Sequence, residues 1–236
     1  MIRTDEALLI KKINYAESSV ILSFFTKNYG IKKFIFKGAK KRKQVFILFG
    51  LYELTFVDRS DDSLSIISNM QFIGAKNYRI EDPKKSLVAF FCADFLNSAI
   101  LESEADLYFF QEISSLSKYN FQTMKQNDRV PHQLIGKTIL YLGYCPNINN
   151  QFKPYFDLKS GEFSDIEGNS SVKLNHHEFD LLRSCFDSNL FFEDDVKFPS
   201  SCLKRVFKIL IDYSNIHIPR MDIKKSLEII QDVIYD

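Results

Sequence analysis

The densest chemistry in the chain lies at residues 31–43, Ile-Lys-Lys-Phe-Ile-Phe-Lys-Gly-Ala-Lys-Lys-Arg-Lys. Seven of these thirteen residues are basic, and no acid occurs from residue 30 through residue 52. Strand alternation puts Lys33, Ile35 and Lys37 on one face and Phe34 and Phe36 on the other. Lys40, Lys41, Arg42 and Lys43 then follow in a loop. Crowded like charges repel unless solvent or a polyanion screens them. A nucleic-acid backbone supplies that anion, and each phosphate contact adds affinity through counterion release. An ordinary solvated loop is the plainer account of the same run. Lys32, Lys33, Lys37, Lys40, Lys41, Arg42 and Lys43 are the expected phosphate contacts. Phe34 and Phe36, or Tyr15, could stack on bases; for the Phe pair, barrel core is the favoured reading.

Other chemistries find little support. His176 and His177 are adjacent, and neighbours on a helix point about 100° apart, so they do not converge on one ion. No Cys-x-x-Cys occurs, and the four cysteines (Cys92, Cys145, Cys185, Cys202) lack paired spacing. Cys145 precedes Pro146 and has no His close in sequence. There is no Gly-x-Ser-x-Gly elbow and no Gly-rich phosphate loop among eight glycines. The pairs Asp61-Asp62 and Asp194-Asp195 read as solvated turn residues. The expectation is a binding protein, not an enzyme, with no cofactor and no metal. In the second half, Lys204, Arg205 and Lys208 flank an apolar stripe, and a groove edged by them would suit an acidic-hydrophobic peptide tail. A plain amphipathic surface helix is the competing reading.

The elements that must position these residues follow from patterning. Residues 7–13, 19–26 and 33–37 read as strands, with turns at 14–17 and 27–30. Residues 45–57 and 64–73 supply two more, parted by Asp58-Arg59-Ser60-Asp61-Asp62. Five short strands suggest a small barrel. At Asp82-Pro83 the pattern turns helical: Asp82 suits a cap and Pro83 a first helical position. Leu87, Phe90, Phe91, Phe95, Leu96 and Ile100 recur at helical spacing over residues 86–101. Residues 107–116 and 132–142 continue the helices. Asn175 and Glu178 have capping-box spacing. A helix after Pro199 buries Leu203, Val206, Phe207, Leu210 and Ile211, and residues 222–234 form the last. A polar insertion at residues 151–170, with Tyr155-Phe156-Asp157-Leu158 as its strand-like part, reads as a hairpin or ordered loop. The fold class is α+β: a barrel domain over residues 1–80 and a helical domain over 81–236.

Composition agrees. Of the 236 residues, 45% are hydrophobic and 26% charged, and 23 are Phe, enough apolar surface for a sizeable core. The net charge of +1 hides an asymmetry. Residues 1–80 hold 14 Lys/Arg against 7 Asp/Glu, whereas residues 81–236 hold 17 against 23. Opposite halves suggest different partners. No apolar run approaches the roughly 18 residues of a membrane span, and the first residues lack the layout of a signal peptide. A cytoplasmic, nucleoid-associated location is therefore expected.

The residues also carry a resemblance. Thr4-Asp5-Glu6-Ala7-Leu8-Leu9-Ile10, Tyr15-Ala16-Glu17-Ser18-Ser19, Phe25-Thr26, Tyr29-Gly30 and Lys37-Gly38-Ala39-Lys40-Lys41 follow one another as in the RecO family of bacterial recombination and repair proteins. Tyr141-Leu142-Gly143-Tyr144-Cys145-Pro146-Asn147 and residues 155–163 resemble its Bacteroidetes-type variant. The likeness implies an N-terminal OB-fold and a helical domain. It implies binding of single- and double-stranded DNA and annealing of complementary strands. It further implies work with RecR in loading RecA onto DNA coated by single-stranded-DNA-binding protein, whose acidic tail docks on the helical half. Many members carry a four-cysteine zinc module where this chain has residues 155–165. No cysteine occurs there, so hydrogen bonds are expected to hold that segment together without zinc. The alternative function is a protein scaffold whose basic loop meets an acidic partner.

Overall fold

The computed structural model describes residues 1–39, 41, 45–58, 64–74, 82–100, 105–122, 128–148, 151–187, 197–219 and 221–234. They divide into two compact units, Met1–Lys125 and Gln126–Asp236. The first two helices thus belong with the barrel. The change from strands to helices expected near residue 80 falls at residues 75–81, outside the described residues.

In the first unit, β1 (Ile2–Tyr15), β2 (Ser19–Thr26), β3 (Gly30–Phe36), β4 (Leu51–Val57) and β5 (Ser65–Phe72) close into a barrel of order β1-β2-β3-β5-β4. All pairings are antiparallel except β3 with β5, where Phe34, Ile35 and Phe36 lie opposite Ser65, Ile66 and Ile67. This is the OB-type barrel. Its interior is filled by Val20, Leu22, Phe24, Phe34, Phe56 and Ile67 among others. The Phe34 and Phe56 rings meet edge to face at 4.9 Å, a geometry their ring quadrupoles favour.

Two features differ from the sequence reading. The first strand is longer than expected, running back to Ile2, where it pairs with Val57 to close the barrel. The apolar run at residues 45–50 is not strand. Phe46, Ile47 and Leu48 pack against the core from a loop, and Phe49 turns the chain with φ 58°. A short apolar run does not by itself distinguish strand from buried loop. The turn is held by Phe49 N donating to Leu9 O at 2.7 Å and Ser117 Oγ donating to Phe49 O at 2.5 Å.

Helix α1 (Pro83–Ala99) starts as its sequence dictates, with the Asp82 side chain accepting from the Lys84 and Lys85 amides and Pro83 at the first position. With α2 (Leu107–Gln122) it belongs to the barrel's unit. Phe25 of β2 packs against Phe109 and Phe110 of α2 at 5.5 and 5.7 Å.

The second unit holds α3 (Val130–Tyr141), a sheet of order β7-β6-β8 built from β6 (Tyr155–Asp157), β7 (Phe163–Ser164) and β8 (Ser171–Lys173), then α4 (His176–Ser184), α5 (Ser200–His217) and α6 (Lys224–Ile234). The insertion is therefore a three-stranded sheet, one strand beyond a hairpin. The capping box is present: Asn175 Oδ1 accepts from Glu178 N, and Glu178 Oε2 accepts from Asn175 N. His132 joins α3 to α5, its Nε2 lying 2.8 Å from Leu203 O. Burial depresses its pKa to about 4, so the ring is neutral at neutral pH.

Asp157 organises the small sheet. Its carboxylate accepts from Lys159 N, Ser160 N, Ser160 Oγ and, at 2.6 Å, Ser170 Oγ. The Ser170 hydroxyl foremost, then the Ser160 amide, lowers its pKa to about 2. A depressed carboxylate stabilises the fold above the unfolded pKa of about 4 and loses that contribution as pH falls towards 2. Asp157→Ala is expected to cost about 1 kcal/mol at neutral pH, read as a melting temperature about 4 °C lower. The difference from the parent should shrink between pH 4 and pH 2 in thermal melts.

Candidate nucleic-acid interface

Strand register decides which basic side chains share a surface, since residues directly opposite in a ladder point to the same side. On the outside of the barrel, Lys11 lies opposite Ser23 and Ser23 opposite Lys33. In the next row, Ile13, Ile21 and Ile35 are aligned, and Ile35 pairs onward with Ile66 of β5. Tyr15 faces Ser19 beyond them, and Lys37 follows the end of β3. Lys11, Lys33, Lys37 and Lys41 are exposed, while Ile13 and Tyr15 are 47% and 50% exposed. From Lys11 onward, the residues of β1, β2 and β3 on this side include no acid. Around the barrel the sign changes, with Glu6 of β1 opposite Glu53 of β4.

The expected contacts separate into three groups. Lys33, Lys37 and Lys41 stand in solvent. Lys40, Arg42 and Lys43 lie outside the described residues. Lys32 is drawn inward: its Nζ lies 2.7 Å from Asp58 Oδ1 and within 5.3 Å of the Tyr29 and Phe56 ring centres. Asp58 also meets Arg3 Nε at 3.1 Å and accepts from Ser65 Oγ at 2.9 Å. One carboxylate at the end of β4 thus engages side chains of β1, β3 and β5. The Lys32 hydrogen bond above all, then that of Ser65, holds its pKa below the usual carboxylate range. Lys32 therefore positions the strand ends and offers little free charge to a ligand. Phe34 and Phe36 are 0% and 2% exposed and fill the core; of the three aromatic candidates, Tyr15 alone presents its ring to solvent. The sequence reading missed Lys11, whose place beside Lys33 becomes visible only once β1 and β3 flank β2.

In the second unit Lys204 and Lys208 are exposed on α5. Arg205 between them has its Nε 3.3 Å from the buried Glu178 carboxylate, and its Nη2 donates to the Lys173 carbonyl. It ties α5 to the cap of α4 and to β8. His176 stacks on Phe152 at 3.8 Å between ring centres. Among the described residues no group of three or more His, Cys, Asp or Glu is arranged to hold a metal, and no helix is long and apolar enough to cross a membrane.

The first unit is thus built on a closed five-stranded OB-type barrel whose outer side carries Lys11, Lys33 and Lys37. Residues 1–75 match the family described as recombination protein O N terminal. Over 97% of both chains, this one is 26% identical to the DNA repair protein RecO of Flavobacterium psychrophilum and 24% identical to that of Flavobacterium johnsoniae. It is 20% identical to the DNA repair protein RecO of Phocaeicola vulgatus over 99% of both chains. The chain is thus similar to these DNA repair proteins along nearly its whole length, and to the recombination protein O family over its barrel.

Proposed function

We propose that this chain serves DNA repair and recombination as a mediator that acts by binding, with the barrel (residues 1–80) holding DNA and the helices (residues 81–236) meeting protein partners. The observation that carries the reading is the side of β1 (from Lys11 onward), β2 and β3 that carries no acid and from which Lys11, Lys33 and Lys37 project. Complementary strands repel through their phosphates. A surface that neutralises both lowers that barrier and brings the strands together. Lys33, Lys37, Lys40, Lys41, Arg42 and Lys43 make the phosphate contacts, with Lys32 supporting them from its ion pair. The chain anneals single strands, binds duplex as well, and assists RecA loading together with RecR. On α5, Lys204 and Lys208 accept the acidic tail of single-stranded-DNA-binding protein, and Arg205 shapes that site from its contact with Glu178.

An annealing assay tests this. Complementary oligonucleotides, bare or coated with single-stranded-DNA-binding protein, should pair faster with the chain than without it. The variant with Lys40, Lys41, Arg42 and Lys43 all changed to Ala should lose most of the acceleration. Equal rates with and without protein would overturn the proposal.

A further inference from the structure

The pairing of β1 with β2 skips a residue between Leu9 and Lys11. At this bulge a cleft of about 200 Å³ opens between β1, the loop before β4 and α1. Bulges bend a strand and re-aim its side chains, and here Ile10 is turned towards the helix side. The apolar lining consists of Ile10, Leu48, Phe90 and Ala93. The polar lining has two sides: Lys11 and Lys12 on the strand, Asp94 and Asn97 on the helix. Phe90, Ala93, Asp94 and Asn97 recur at helical spacing and so form one stripe of α1 facing the cleft.

Size and chemistry narrow the occupant. Sites for whole drug-sized molecules begin at roughly 300 Å³, so this cleft suits one planar ring. Aliphatic and aromatic walls contact the faces of such a ring. The Asn97 amide donates and accepts at its edge, with Asp94 one turn before it on the same wall. Lys11 and Lys12 place positive charge beside it, and Lys11 shares its row with Lys33 across β2. An aromatic heterocycle with hydrogen-bonding edges, attached to a phosphate, meets all these demands.

We infer that the cleft receives one unpaired nucleobase of a single strand running over the outer face of β1, β2 and β3. The inference rests on the DNA-binding reading above and adds a selective element to it. Lysine rows grip any phosphate backbone, but a base enters the cleft only when it is free of its partner, since extruding a paired base costs several kcal/mol. The cleft thereby favours single strands over duplex at a protein whose lysine contacts are indifferent to the bases.

The test compares three ligands of equal length: an ordinary single strand, the same backbone carrying abasic sites throughout, and a duplex. Asn97→Phe and, separately, Leu48→Phe narrow the cleft from opposite sides. Each is expected to weaken binding of the ordinary strand about tenfold, a base-contact effect of ordinary size. Affinity for the abasic strand and the duplex, and the salt slope on both, should stay as in the parent, which also reports that the barrel is folded. Equal loss on all three ligands, or no loss on any, overturns the cleft as a base site while leaving DNA binding in place. Absence of binding to all three by the parent chain overturns the DNA-binding reading and this inference with it.

Discussion

Changing Lys33, Lys37 and Lys41 together to Ala should weaken single-stranded DNA binding about 100-fold at 0.1 M salt. Each phosphate contact on a single strand contributes about −0.7 to the slope of log K against log salt. Three contacts contribute about −2, which at 0.1 M corresponds to two decades of affinity relative to 1 M. The parent, with the six proposed contacts, should show a slope of about −4 and the variant a slope of about −2. The two binding curves should converge as salt approaches 1 M. All three side chains are exposed, so their truncation changes stability by no more than about 0.5 kcal/mol. Fluorescence anisotropy across a salt series reads both quantities. An unchanged slope would show that these cations face water and not phosphate. Changing Lys32 alone should behave differently, loosening the junction at Asp58 with little effect on the slope.

The second large effect concerns stability. Gly136 sits in the middle of α3, where replacement by Ala ordinarily gains about 1 kcal/mol from helix propensity. Here a Cβ would stand 2.2 Å from the Cys185 carbonyl oxygen and 2.7 Å from its carbon. Both are backbone atoms at the end of α4, and they cannot rotate away as a side chain would. Nearby anchors resist a shift of the helix end. Gln133 Nε2 donates to Ser184 O at 3.1 Å, and Cys185 N donates to Leu182 O at 3.2 Å. Overpacking costs about 1–3 kcal/mol, and breaking the buried Gln133 bond adds about 1–3 kcal/mol. The clash wins, and Gly136→Ala should destabilise the second unit by about 3 kcal/mol. Urea unfolding followed by circular dichroism checks the sign: a higher midpoint than the parent would show that the helix end moves freely.

Legibility in the sequence followed the range of the interaction. Local signals read well. Asp82 with Pro83 opens α1, Asn175 with Glu178 opens α4, and Leu203, Val206, Phe207, Leu210 and Ile211 are the buried stripe of α5. Alternation put Phe34 and Phe36 opposite Lys33 and Lys37, and the barrel interior takes the Phe side. What escaped were relations made only by folding. Asp58 lies 26 residues from Lys32 in the chain, yet strand pairing brings it within 2.7 Å and removes that lysine from the free cationic set. In the same way Glu178 occupies Arg205. Lys11 joins Lys33 through β2, and the cleft exists because a bulge in β1 meets the stripe on α1. Charge counted along a chain gives a surplus; only the register says which charges reach solvent together.

Closure of the barrel through Ile2 and Val57 also bears on behaviour at high concentration. A ring of strands has no outermost member: β1 is flanked by β4 over Ile2–Leu8 and by β2 over Ala7–Tyr15, which shortens the strand edge open to a neighbouring molecule. In the small second-unit sheet the outer members, β7 and β8, are two and three residues long, too brief to template a neighbour. Short edges of this kind disfavour strand pairing between neighbouring copies of the chain at high concentration.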